Sequence, residues 1–334
     1  MDRARRLLER ARNAEVRGDS DLALAEFEQA IALLTDGPRH PLLADALRWK
    51  GTTHRERGET QIATELYERS VEVARATDAA LAEAHGLNCL GIIAQRRGDI
   101  ALAESLYEQA SRIAQRLGEQ QLLGMIGQNR GVMANIRGQY ADAEARYREA
   151  LSAFEAADNR EAMTWVLNNL GMAQFDQADY QGAERSFERG LVLAVERGDR
   201  RMEGMLELNR AYLRLAEDRF EDAERCCAHA FEIASARDDR LNSAEALKCR
   251  GEIERRRGDC RSAYSTLILA KTLAEQSEDV LLGAEILREL AQVCEARGDS
   301  DEARQRLEQA RDNFTGLGAD HEVSTVTARL QLLR

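Results

Sequence analysis

The chain has 334 residues, 32% of them charged, and a formal net charge of −12 at pH 7. That balance argues against sequence-independent binding to nucleic acid, which needs a basic surface to displace counterions. The longest uncharged run, residues 162–175, is shorter than the ~20 apolar residues of a membrane-spanning helix.

From the N-terminus, the chain opens on "DRARRLLERARNAEVRGD", a charged helical pattern without the apolar core of a signal peptide. An alanine then recurs every 40 residues, at Ala23, Ala63, Ala103, Ala143, Ala183, Ala223, Ala263 and Ala303. Five residues before it stands a glycine, at 18, 58, 98, 138, 258 and 298, replaced by Ala178 and Asp218 in the fifth and sixth units. Seven residues earlier comes a second small column: Ala11, Gly51, Gly91, Gly131, Gly171, Ala211, Gly251 and Ala291. Four residues after the alanine stand Phe27, Tyr67, Tyr107, Tyr147 and Phe187, then Cys227, Leu267 and Leu307. Apolar residues between these columns follow helical spacing, so each unit predicts two amphipathic helices, A and B. The glycine can take positive φ and end helix A, and the acidic residue after it (Asp19, Asp99, Asp259, Asp299) caps helix B. Small residues let the helices approach closely, the aromatic fills the space between them, and the units must stack to bury their apolar faces. The two prolines, Pro38 and Pro41, lie in the link between the first and second units, where Pro41 suits a first helical turn. After Gly318 a last segment places Val323, Val326, Leu330 and Leu333 on one face.

"GDIALAESLYEQA" and "GQYADAEARYREA", preceded by "LNCLG", "QNRG", "LNNLG" and "LNRAY", resemble the tetratricopeptide repeat, in the 40-residue variety of Pins-type adaptors, kinesin light chains and MalT-type bacterial regulators. The resemblance implies an all-α, right-handed α-solenoid of eight helix-turn-helix repeats over residues 1–318, with a capping helix over 319–334. Two departures stand out: the family's proline near the end of helix B is missing, and the sixth and seventh units have lost the aromatic, which predicts different packing there.

The same resemblance assigns the concave groove to helix A. In the fourth to sixth units this surface carries Met125, Gln128, Asn129, Val132, Asn135 and Ile136; Trp165, Asn168, Asn169, Met172, Phe175 and Asp176; and Met205, Leu208, Asn209, Tyr212, Leu215 and Ala216. Asp176 is the one charged residue in that set, so the middle of the groove is expected to be apolar, aromatic and amide-rich. Side-chain amides can bond a ligand backbone, and methionine and aromatic side chains give adaptable contact. Arg48, Arg55 and Arg96 on one side, and Lys248, Arg255 and Arg288 on the other, could hold acidic groups of a peptide. Two readings stay open: Asn129, Asn169 and Asn209 either bind ligand or hold neighbouring repeats together, and the arginines either face a ligand or pair with nearby glutamates. Ile268 and Leu269 replace charged residues on helix B of the seventh unit, marking either a self-association site or a patch covered locally.

No P-loop, GxGxxG or HExxH motif occurs, and the five histidines pair with no nucleophile, so no enzyme and no cofactor are expected. Cys226 and His229 lack the further ligands a metal would need. The six cysteines form no CxxC pair and read as reduced thiols, consistent with a cytoplasmic location. Only Lys50, Lys248 and Lys271 among 47 basic residues are lysine, a skew pointing to a high-GC bacterial genome. Two function classes follow: an adaptor that captures a protein segment in the groove, and a peptide or small-molecule sensor acting in trans on a kinase or transcription factor. A homo-oligomeric assembly element is the third.

Overall fold

The computed structural model describes residues 2–36 and 40–333; Pro38 lies outside them. The chain divides into two compact units, Met1–Val166 and Leu167–Arg334. The first contains α1 (Asp2–Val16), α2 (Ser20–Thr35), α3 (Leu42–Glu56), α4 (Thr60–Ala76), α5 (Ala80–Arg96), α6 (Ile100–Leu117), α7 (Gln120–Ile136), α8 (Tyr140–Ala156) and the start of α9 (Arg160–Asp176). The second contains the rest of α9, then α10 (Tyr180–Arg197), α11 (Arg200–Ala216), α12 (Phe220–Ala236), α13 (Arg240–Arg256), α14 (Cys260–Gln276), α15 (Val280–Ala296), α16 (Ser300–Gly316) and α17 (Asp320–Leu332). Odd-numbered helices are the predicted A helices and even-numbered ones the B helices. Within each unit, an A helix packs most extensively on the B helix that follows it and less on the B helix before it. This is the paired, consecutive packing of an all-α solenoid.

The helix ends follow from two residue choices. Gly18, Gly58, Gly98, Gly138, Gly258 and Gly298 take left-handed φ between 69° and 86°, and Ala178 (60°) and Asp218 (57°) are held in the same region without being glycine. The next residue reverses the chain and caps the next helix: Asp19, Asp99, Asp179, Asp259 and Asp299 each accept the backbone N–H three residues on. A second left-handed series, at Asp78, Gly118, Asp158, Gly198, Asp238, Glu278 and Gly318, ends the B helices. There Asp199, Asp239 and Asp279 cap the A helices in the same way. Pro41 stands at the N-cap of α3.

The alanine column is fully buried at all eight positions. The glycine column on helix A exists because of the aromatic on helix B: a Cβ on Gly171 would stand 2.4 Å from the Phe187 ring, and one on Gly131 2.5 Å from Tyr147. Where the aromatic is absent the fit is kept by other means. Leu267 closes on Gly251, whose Cβ would lie 2.5 Å away, and Ala211 shares its core with the smaller Cys227. At the C-terminal end α17 buries Val326 and Leu330 with Leu307 and Phe314 of α16. Among the described residues, no helix is long and apolar enough to cross a membrane.

Candidate functional site

The A-helix face carries most of the residues singled out in the sequence, and their environments divide them. In the first unit Asn129 of α7 donates to Asn88 Oδ1 of α5 at 3.1 Å. In the second, Asn209 of α11 donates to Asn168 Oδ1 of α9 at 2.7 Å, and Asn168 donates to Asn169 at 3.4 Å. Asn88 and Asn168 are buried, 1% and 7% exposed, so these amides tie one A helix to the next and leave little of Asn168 for a ligand. Leu208 and Leu215 are core residues.

Besides Asn129 and Asn209, the residues that stay half-exposed on this face include Met125, Gln128, Val132 and Asn135 on α7, Trp165, Asn169, Met172 and Phe175 on α9, and Met205, Tyr212 and Ala216 on α11, while Ile136 and Asp176 at the helix ends are exposed. Phe175 leans on Tyr180 of α10, ring centroids 5.7 Å apart. Met205 points toward a narrow crevice shared with Ile233 and Asn242. The Tyr212 hydroxyl is buried without a hydrogen-bond partner among the described residues, and burial first, with the carboxylates of Glu245 and Glu252 adding to it, raises its pKa well above the ordinary phenol value. Lys248 Nζ stands 5.9 Å from the Tyr212 ring centroid.

The basic residues are mostly engaged. Lys248 bonds Glu245 at 3.4 Å and also Glu285; Arg255 bonds Glu289 at 3.4 Å; Arg288 bonds Glu322. Except for Lys248–Glu245, which lies within α13, these pairs run from one A helix to the next. Arg48 bonds Asp45 at 3.2 Å, and Arg55 lies 3.7 Å from Glu56. Arg96 is exposed and has no carboxylate partner among the described residues. An acidic ligand at the other five would therefore have to displace an existing carboxylate.

On the B face, Ile268 packs against the core of its unit and leaves Leu269, 51% exposed, as the open member of that pair. A dense charge network between α10, α11 and α12 was not anticipated from the sequence. There Arg210 and Arg214 share Glu184, and His229 lies 3.6 Å from both Glu203 and Glu207, whose carboxylates are buried. The available signal was the i, i+4 spacing of Glu203 and Glu207 on the helix preceding His229. All six thiols are free; burial pushes Cys226 up to about 11, and a hydrogen bond with Cys227, then burial, holds Cys249 well above the ordinary thiol value, so neither forms a thiolate readily.

A family model described as the tetratricopeptide repeat matches residues 2–76, 122–193 and 242–315, more than half of the chain. The chain belongs to the tetratricopeptide repeat family. Among solved structures, this tetratricopeptide repeat protein is similar to a signal-transduction ATPase with numerous domains from Pyrococcus horikoshii that carries a tetratricopeptide repeat sensor. The TM-score is 0.71 at 14% identity, covering 96% of this chain and 48% of that one. It thus spans about half the length of the Pyrococcus protein. It is also similar to a Rap protein crystallised with competence and sporulation factor (TM-score 0.60, 13% identity, 99% of this chain and 97% of that one). A third likeness is to aspartyl phosphate phosphatase F from Bacillus subtilis (TM-score 0.62, 11% identity, 99% and 93%). At these identities the likeness is one of fold. No curated protein matches the chain in sequence.

Proposed function

We propose that this tetratricopeptide repeat protein is a non-enzymatic adaptor that holds a segment of a partner protein against the inner faces of its A helices. One observation carries the reading. On those faces most of the basic residues are already paired, Lys248, Arg255 and Arg288 across successive helices and Arg48 within its own, while Met125, Gln128, Asn169, Met172 and Phe175 stay half-exposed. A peptide docking there meets side chains that adapt to its shape and amides that bond its backbone. Repeat arrays lend themselves to this because each unit adds surface without needing a catalytic centre.

The test is affinity capture in the source organism with the wild type and with Met125→Glu and Met172→Glu, one variant in each unit. Expected is a protein held by the wild type and lost by at least one variant with its helical circular dichroism intact. Equal recovery by all three would place the partner elsewhere. A second reading, a regulator acting in trans on a signalling protein after binding a short peptide, is supported by the likeness to the Rap conjugation gene regulator of plasmid pLS20, solved in complex with a peptide, over 74% of that protein's length. It predicts that a free peptide, once bound, changes the chain's hold on a separate signalling protein, which an adaptor that simply captures a segment of its partner would not show.

A further inference from the structure

The asparagine pairs define a register: a residue three before the small column of one A helix meets a residue two before that of the next. At the start of the chain the corresponding positions are Leu8 and Trp49. An apolar pair there leaves no buried amide to satisfy, and the contact opens instead into a cavity of about 450 Å³ between α1 and α3. Leu8, Leu42 and Trp49 form its apolar wall, and Arg5, Arg12 and Asn13 its polar rim. The size lies within the range of ligand clefts, roughly 300–1,000 Å³.

The charge around this cavity is opposite to that of the chain. Helix α1 carries Arg3, Arg5, Arg6, Arg10 and Arg12 against Asp2, Glu9 and Glu15, in a protein of net charge −12. Arg12 and Arg48 each place a guanidinium 5.5 Å from the Trp49 ring centroid, so the aromatic wall is bracketed by two cations. Arg12 is half exposed while bonded to Glu15 at 2.6 Å, and Glu15 also accepts from Thr53 at 2.5 Å, which fixes the Arg12 head beside Trp49. Arg5 has no carboxylate partner among the described residues. Glu9 is the one acid on the rim.

We infer that this cavity is an anchor subsite for a partner peptide that presents an aromatic or branched apolar side chain flanked by carboxylates. The inference rests on the inner-face reading above. The apolar side chain would enter against Trp49 and Leu8, and the flanking acids would meet Arg5 and the outer face of Arg12. Buried aromatic anchors with charged neighbours carry most of the energy in such contacts.

The experiment uses the full chain on an array of acetylated dodecamers with Phe, Leu or Ala at the centre and Glu or Lys on both sides. Phosphatidylserine vesicles serve as the competing anionic surface. Expected is retention of the Glu-flanked Phe and Leu peptides only. Trp49→Ala should weaken binding about thirtyfold and the surface variant Arg5→Glu/Arg12→Glu about tenfold, as for loss of an anchor and of its charged rim. Preference for Lys-flanked peptides, capture by vesicles in place of peptides, or wild-type binding by both variants overturns the proposal. If peptides bind but respond to Met172→Glu and not to Trp49→Ala, the subsite is wrong and the inner-face reading stands. If no peptide binds and the inner-face variants keep their partner, both fall.

Discussion

Ala178 occupies a left-handed backbone position, φ 60°, that six of the eight repeats give to glycine. The Cβ of an L-residue is strained there, while glycine costs more entropy on folding. The strain is the larger effect, so Ala178→Gly is expected to stabilise by about 0.5–1 kcal/mol, read as a higher urea midpoint. His85 gives a pH signature. Burial first, then the charge of Arg48, depresses its pKa from 6.5 to about 4. Between those values the folded chain binds fewer protons than the unfolded one, so stability is full above pH 6.5 and falls as pH drops toward 4. The loss amounts to at most about 3 kcal/mol. His85→Gln should flatten it: the stability difference between wild type and variant, from urea titrations at pH 7 and 4.5, should shift against the wild type on acidification. A difference independent of pH contradicts a neutral buried imidazole.

At the scale of helices, the asparagine pairs and the small-to-aromatic contacts act on different junctions. The second joins A to B within a repeat, and the first joins A to A between repeats. Asn209→Ala strips the donor from the buried Asn168 Oδ1, at a cost of about 1–3 kcal/mol. Asn168→Ala in the same chain should recover part of it, because no orphaned acceptor then remains; strict additivity in the four-member cycle would show that the pair is incidental. Much of this level was legible in advance. The 40-residue columns located both helices of every repeat, and the positive φ at Gly18, Gly58, Gly98 and Gly138 followed from glycine's freedom. The second left-handed series was not legible, because Asp78, Asp158, Asp238 and Glu278 are ordinary surface residues whose φ is imposed by the hairpin around them. Nor could the sequence give the partners of Lys248, Arg255 and Arg288. Each pairs with a residue 34–37 positions away, a distance that only the stacking of A helices makes short.

At the scale of the whole molecule, repetition divides the labour. Buried columns repeat because every hairpin solves the same packing problem, and the A-helix face varies because it need only be compatible with its neighbours. It is that variation, from Leu8 and Trp49 at the first junction through the amide pairs to the ion pairs of α13, α15 and α17, that can encode a ligand. The most direct test is in-cell photo-cross-linking from benzoylphenylalanine placed at Met172 on the A face, compared with Glu188 on the exposed B face. The account predicts a discrete adduct with another protein from position 172 and none from 188. Adducts from 188 alone would contradict it.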